Sequence, residues 1–358
     1  MNFDNVCPHY LQNCGGCTHW NLDYNSEVQL KKDDLKSKLD STIDIRVKHP
    51  THFNLRTRFD FTIADQIIGL YSKNRELIDL NSCPILHPEL EKAFQTLREF
   101  IAKHPLKVAK GSMRIRVNHD LHKWGLWIDF SNLDIKRLLK EKKILTLLSE
   151  KFIIEIGQKK KRLDLNSFNL DQLKLADPIP ENWFSTLGEE LLCSVSSFTQ
   201  PNPVTADLLT LEILNWVKQT EPKRVIEYGS GIGQYSLPIL KLGLNLDVFE
   251  ADLIAVEYLK LNTQKYNSKL TLNEISRLNL KTEKTLALVN PPRSGLQKFT
   301  QNLIDSNTDH IIYISCFPDS LAADLAILNP HFKLKDVVLV DQFPRTNHYE
   351  AAVLLQRV

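Results

Sequence analysis

Hydrophobic positions follow two different rhythms along this chain, and the change between them divides it. Through Leu55, Thr57, Phe59, Phe61 and Ile63 they alternate with Arg56, Arg58, Asp60 and Thr62, the period of a strand with one buried face. Further strands are predicted at 114–117 and 124–130. A helix is predicted over 26–39, capped by Asn25 or Ser26, with Val28, Leu35 and Leu39 on one stripe. Beyond Pro178 and Pro180 short, almost wholly apolar runs take over, at 224–228, 246–250, 285–289 and 310–315, with helical segments between them at 255–266 and 321–328. Buried strands alternating with helices specify a doubly wound, Rossmann-like α/β sheet. Two more strands, 334–340 and 351–355, close the chain. The predicted organisation is a cysteine-rich segment over 1–20, a helix over 21–45 packing on the last domain, a smaller β-rich α+β domain over 46–190 and the α/β domain over 191–358.

Composition adds bounds to this picture. With 358 residues, 42% of them hydrophobic and 25% charged, the chain has the makeup of a two-domain globular protein. No apolar run reaches the roughly 18 residues of a membrane-spanning helix. The opening Met1-Asn2-Phe3-Asp4 lacks the basic-then-apolar order of a secretory signal. Cytoplasmic residence, no membrane partner and a monomeric state are expected. A net charge of +2 does not announce a nucleic-acid binder. Basic residues are locally dense at 137–143 and 159–162, as solvated faces or as RNA contacts.

Candidate chemistry gathers at the ends of the apolar runs. The first meets Glu227-Tyr228-Gly229-Ser230-Gly231-Ile232-Gly233, a glycine-rich turn that lets backbone approach a nucleotide closely, and the second ends at Glu250, spaced to accept hydrogen bonds from a ribose. These features suit NAD and S-adenosylmethionine alike. The next apolar strand runs into Asn290-Pro291-Pro292-Arg293-Ser294-Gly295, and another ends at Ser315-Cys316-Phe317-Pro318. A buried cysteine is usually inert; one at the carboxyl end of a strand beside a cofactor turn is a candidate nucleophile.

Taken together, Asn290-Pro-Pro-Arg-Ser-Gly295, Tyr313-Ile-Ser-Cys316 and Phe343-Pro-Arg-Thr-Asn-His-Tyr-Glu350 resemble the RNA 5-methyluridine (uracil-C5) methyltransferase family, and Ser197-Phe198-Thr-Gln200-Pro-Asn202 is similar to that family's Phe-Gln-x-Asn element. The order agrees and the similarity spans essentially the whole chain. The resemblance implies an S-adenosylmethionine-dependent methyltransferase with Cys316 as nucleophile, Glu350 as base, and Gln200, Gly229, Glu250 and Asn290 as cofactor contacts. Without it, Glu350 reads as a solvent-facing strand residue. An aromatic usual in the family is replaced by Gly229, so Tyr228 or Tyr235 is expected to supply the adenosine contact. An acidic cofactor residue is expected near Glu274 to Arg277. Arg56, Arg58, Arg114 and Arg116 are expected to line an RNA face, with Phe198 either stacking on the target base or packing in the core.

Cys7, Cys14, Cys17 and Cys83 form the other constellation. A Cys14-Gly15-Gly16-Cys17 bend lets two thiolates converge, and four thiolates suit zinc or an iron–sulfur cluster. The resemblance implies a 4Fe–4S cluster. The chain opens at this segment, so it is expected to be similar to the family's compact branch, which modifies 23S ribosomal RNA near position 747. Alternatives are a methyltransferase of transfer-RNA uridine 54 and a catalytically silent RNA-binding protein of ribosome assembly.

Overall fold

The computed structural model describes residues 7–39, 42–51, 53–130, 132–164, 174–272 and 284–358. The chain forms two compact units, one comprising Met1–Asn21, His52–Phe184 and Leu192–Pro203, the other Leu22–Thr51, Ser185–Leu191 and Val204–Val358.

Among the described residues the first unit is built on an eight-stranded sheet in the spatial order Leu77–Asp79, Ile67–Tyr71, Arg58–Ala64, Lys110–Val117, Trp124–Phe130, Ile153–Ile156, Lys161–Leu163 and Leu175–Ala176. Trp124–Phe130 and Ile153–Ile156 run parallel, joined through helices Asn132–Leu138 and Lys142–Ser149; the other neighbours are antiparallel. The alternation places Phe59, Phe61 and Ile63 on the buried face. Helix Pro88–Lys103 covers them with Leu90, Ala93, Phe94, Leu97 and Ile101, one apolar stripe at helical spacing. The Phe94 ring meets Phe59 and Phe61 edge-on, with centroids 5.5 and 5.4 Å away. The strand predicted from Leu55 begins only at Arg58; Arg56 makes an isolated bridge to Leu86 instead.

The arginines expected to face RNA are largely occupied by the protein. Arg116, 1% exposed, donates to the carbonyls of Trp183 (2.9 Å) and Ser194 (3.3 Å) and to the Thr199 hydroxyl (3.0 Å). Arg114 bridges Asp60 (2.6 Å) and the Ser196 carbonyl (2.7 Å), and Arg58 donates to the Thr199 carbonyl. From the same unit Glu155 accepts from the backbone N–H groups of Val195 (2.8 Å) and Ser196 (2.9 Å). Alternating arginines do share a face, but the face is covered by the 194–199 loop, whose carbonyls need donors. That anchoring also explains why residues 192–203 group with the β-rich unit.

The second unit contains β1 (Ile45–Lys48), β2 (Arg224–Tyr228), β3 (Asn245–Phe249), β4 (Leu270–Leu272), β5 (Thr285–Val289), β6 (Thr308–Ser315), β7 (Phe332–Val340) and β8 (Glu350–Arg357). Their spatial order is β1-β7-β8-β6-β5-β2-β3-β4. β8 is antiparallel to both its neighbours and every other pair is parallel. The helices are α1 (Tyr24–Leu39), α2 (Pro203–Thr220), α3 (Ser236–Lys241), α4 (Leu253–Thr263), α5 (Phe299–Ile304) and α6 (Pro318–Leu328). They form two separate cores. Ala287 and Val289 of β5 join Leu35, Phe299, Leu321 and Leu325 in one, while Leu286 and Leu288 join Ile213, Trp216, Ile239 and Leu259 in the other. A strand with apolar side chains on both faces must be covered on both, hence the unbroken apolar run of β5. Asp23, not Asn25 or Ser26, caps α1: its carboxylate accepts from the Ser26 N–H at 3.0 Å, so the helix starts at Tyr24.

Candidate active site

The registers of the α/β sheet align the ends of its strands. Tyr228 stands opposite Phe249 on one side and Val289 on the other, so Glu250, Gly229 and Asn290 leave the sheet side by side. Strand order reverses between β2 and β5, where a doubly wound sheet opens a crevice for ligands. On the next strand Tyr313 pairs with Val289, and β6 continues to Ser315 before Cys316. Ser315 pairs with Ala351 of antiparallel β8. The residues immediately beyond that pair, Cys316 and Glu350, are therefore neighbours on the same rim, close enough that the carboxylate acts on the thiol.

The glycine turn is dictated by close backbone approach. Gly229 has φ +79°, and a β-carbon there would lie 2.5 Å from the Asn290 carbonyl oxygen. Gly231, at φ +55°, faces open space, the room a ligand needs against bare backbone. Glu250 fastens this turn to the strand beside it, accepting from the Gly231 N–H and the Asp252 N–H, both at 2.8 Å. Each carboxylate oxygen keeps a lone pair for a further donor such as a ribose hydroxyl. This arrangement fits an adenosine-bearing cofactor. Below it Glu227 is fully buried, which pushes its carboxyl up to about 7 although the Ser236 hydroxyl donates to it at 2.6 Å.

Of the two tyrosines expected to pack against adenosine, one is partly exposed and the other buried. Tyr228 stacks on Phe249 (5.2 Å between centroids) and Phe299 (4.6 Å), and Tyr235 lies in the core at 3% exposure. The acidic residue expected near 274–277 falls outside the described residues. Gln200 is buried in the β-rich unit, on the segment before α2.

Cys316 is half-buried and sits just before α6, whose first turn begins at Pro318. Burial and then the Glu350 carboxylate raise its thiol pKa above the ordinary value of 9.0; a hydrogen bond from Arg293 and the charge of that guanidinium pull it down. Glu350 itself is only 4% exposed. The turn carrying Arg293 is braced from α6, where the Asp324 carboxylate accepts from the Leu296 N–H (2.8 Å) and the Tyr313 hydroxyl (2.5 Å). Arg293 is not among the residues whose role the sequence motifs imply. A cation just past the end of the strand that neighbours the thiol's own strand was the available signal, since only the thiolate is nucleophilic.

A prediction follows for that contact. Replacing Arg293 by methionine removes the group that favours the thiolate, so the Cys316 pKa rises further. Alkylation of Cys316 by iodoacetamide at neutral pH should slow roughly tenfold for each unit of that rise, and its midpoint should move to higher pH. An unchanged pH profile would refute the role.

In the β-rich unit Cys7, Cys14, Cys17 and Cys83 line one pocket with Trp20, Phe59, Leu70, Leu80 and Ile85. Burial raises the Cys17 thiol to about 11 and moves Cys14 and Cys83 upward too, each also feeling neighbouring sulfurs. His9 shares the pocket, but its ring is engaged by Gln12 (3.2 Å) and the Asn81 N–H (3.1 Å). Among the described residues no three His, Cys, Asp or Glu side chains are grouped to hold a single metal ion.

The family model described as tRNA (Uracil-5-)-methyltransferase matches residues 251–358, the stretch that carries Asn290, Cys316 and Glu350. An RNA methyltransferase of Bdellovibrio bacteriovorus is 34% identical over 98% of this chain and 95% of its own length. The tRNA (uracil(54)-C(5))-methyltransferase of Pyrococcus furiosus is 25% identical over 96% of this chain and 84% of its own. The structure of the Pyrococcus abyssi tRNA (uracil-54, C5)-methyltransferase with S-adenosyl-L-homocysteine superposes with a TM-score of 0.70 at 20% identity, covering 96% of this chain and 86% of that one. The fold is thus that of an S-adenosylmethionine-dependent methyltransferase.

Proposed function

Because this chain belongs to the RNA (uracil-5-)-methyltransferase family, we propose that it methylates carbon 5 of a uridine in RNA through a transient bond between Cys316 and carbon 6. The observation that carries the proposal is the position of Cys316 and Glu350 just beyond the Ser315–Ala351 pair, on the same sheet edge as the Gly229–Glu250 cradle. Carbon 5 of uracil is a poor nucleophile until something adds at carbon 6. The Cys316 thiolate, favoured by Arg293, is suited to that addition. S-adenosylmethionine, which Gly229, Glu250 and Asn290 at the sheet edge would hold, supplies an electrophilic methyl group. Glu350 then takes the carbon 5 proton; those electrons form the C5–C6 double bond, the C6–sulfur bond breaks, and Cys316 leaves as thiolate.

The target base must leave its stack, which suits a loop uridine. Phe198, 71% exposed with the Arg58 guanidinium 5.1 Å from its ring centroid, is free to stack on an RNA base; its exposure rules out core packing. The resemblance pointed to 23S ribosomal RNA, whereas relatives act by name on transfer RNA. Labelled S-adenosylmethionine offered with unmodified 23S ribosomal RNA and with transfer RNA separates the two, and mapping of 5-methyluridine locates the base. Labelling of neither RNA, or labelling unaffected by RNase, would overturn the reading.

Four thiols on one pocket fit a 4Fe–4S cluster bound by Cys7, Cys14, Cys17 and Cys83. A single zinc ion at 2.3 Å from each sulfur draws thiolates to about 3.8 Å of one another, whereas cluster cysteines bind separate irons and stand farther apart. Anaerobically purified protein should contain about four irons and four acid-labile sulfides per chain. Stoichiometric zinc without sulfide would overturn the assignment.

A further inference from the structure

The helix α1 holds no group that reaches the reacting atoms, yet its buried face is charged. Glu27 and Lys31 are 0% and 2% exposed, and both are directed at the segment between β7 and β8 that leads to Glu350. Lys31 Nζ donates to Glu27 Oε1 (2.7 Å), to Asp341 Oδ1 (2.8 Å) and to the Phe343 carbonyl (3.2 Å). The Tyr24 hydroxyl donates to the other Asp341 oxygen at 2.6 Å. Glu27 accepts the backbone N–H of Arg345 at 2.7 Å, and the Arg345 guanidinium donates to the Leu22 carbonyl at 2.8 Å. At the far end of α1 the Tyr349 hydroxyl, one residue before Glu350, donates to Asp34 at 2.6 Å.

One helix thus grips the segment at Asp341, Phe343, Arg345 and Tyr349. Arg345 adopts φ +71°, a conformation that L side chains rarely take and that persists only where surroundings enforce it. Burying two carboxylates and two cations gains little stability, since packed leucines would do as well or better. Directional groups of this kind specify one arrangement where apolar packing would tolerate several.

We infer that α1 positions the general base: Lys31, Tyr24, Glu27 and Asp34 fix residues 341–349, and through them the Glu350 carboxylate beside Cys316. This rests on the proposed mechanism, in which Glu350 accepts the carbon 5 proton as the C6–sulfur bond breaks. A base displaced by about 1 Å loses on the order of 100-fold, so loosening the segment should slow elimination while leaving thiolate addition intact.

The test uses the full chain with an RNA substrate that the wild-type protein methylates. Lys31→Met leaves two buried carboxylates with Arg345 as the one buried cation beside them and risks the fold, so Tyr24→Phe and Tyr349→Phe, each lacking one hydroxyl, accompany it. In every variant that folds by circular dichroism, the protein–RNA adduct surviving SDS should rise several-fold. Over the same variants kcat should fall about 10-fold for the tyrosines and about 100-fold for Lys31→Met, with KM for S-adenosylmethionine unchanged. Folded variants that turn over at the wild-type rate, or that slow without accumulating adduct, would overturn the inference. Glu350→Gln serves as the reference: if it traps adduct and the α1 variants do not, the inference alone fails; if it traps none, the mechanism fails and takes the inference with it.

Discussion

Cys316→Ala should abolish methyl transfer, lowering the single-turnover rate by roughly 10⁴- to 10⁶-fold. The size of the effect follows from the chemistry of the uracil ring. Without a nucleophile at carbon 6, carbon 5 has no enolate character, and among the described residues of this unit Cys316 is the one thiol. In the proposed mechanism Arg293 and Glu350 tune or complete the reaction but cannot replace an added thiolate. The cradle formed by Gly229, Gly231 and Glu250 contains no contribution from Cys316. S-adenosylmethionine affinity by calorimetry should therefore be unchanged, and gels should show no covalent RNA complex. A Cys316→Ala protein that still labels RNA would show that methylation proceeds by another nucleophile.

Glu350→Gln should produce the complementary behaviour. The amide has nearly the shape of the carboxylate and cannot take up a proton, so addition proceeds and elimination stalls. Turnover should fall by roughly 10²- to 10⁴-fold, the usual contribution of general-base catalysis. The enzyme should accumulate as an adduct that survives SDS and carries the transferred methyl group. There is a second, opposing effect: removing the carboxylate charge beside Cys316 relieves one cause of its raised pKa, so thiolate formation becomes easier. Adduct formation at neutral pH should be no slower than in the wild type. Loss of turnover without adduct would assign proton removal to another group.

Much of the α/β unit was readable because its strands are covered on both faces. Such strands are continuous apolar runs, and the run at Thr285–Val289 needs no tertiary information to be recognised. The candidate groups at strand ends were readable for a related reason, since the polar residue that terminates an apolar run lies at the sheet edge. Strand limits shifted by one or two residues where hydrogen bonding outlasts hydrophobicity. The strand at Thr308–Ser315 begins two residues before the run at 310–315 that the sequence pattern marks.

Other elements misled for an opposite reason. Composition assigns charged residues to water, and this chain buries several. The helix Tyr24–Leu39 has a predicted apolar stripe of Val28, Leu35 and Leu39, yet its buried face includes Tyr24, Glu27 and Lys31 as well as Leu35. Arg58, Arg114 and Arg116 have the spacing of a basic RNA-facing stripe and instead hold the loop that presents Phe198. Apart from the Glu27–Lys31 pair within the helix, the partners of these groups are tens to hundreds of positions away, so no local pattern signals them.

Residue order along the chain was enough to specify the strand–helix alternation, the glycine turn and the terminal positions of Asn290, Cys316 and Glu350, because each depends on neighbours within a few residues. The register that sets Cys316 beside Glu350, the approach of the Arg293 guanidinium to that thiol, and the charged grip of Tyr24–Leu39 on residues 341–349 arise only in the folded sheet. Their energies come from paired charges and hydrogen bonds between distant segments, whose geometry exists only after the backbone has closed around them.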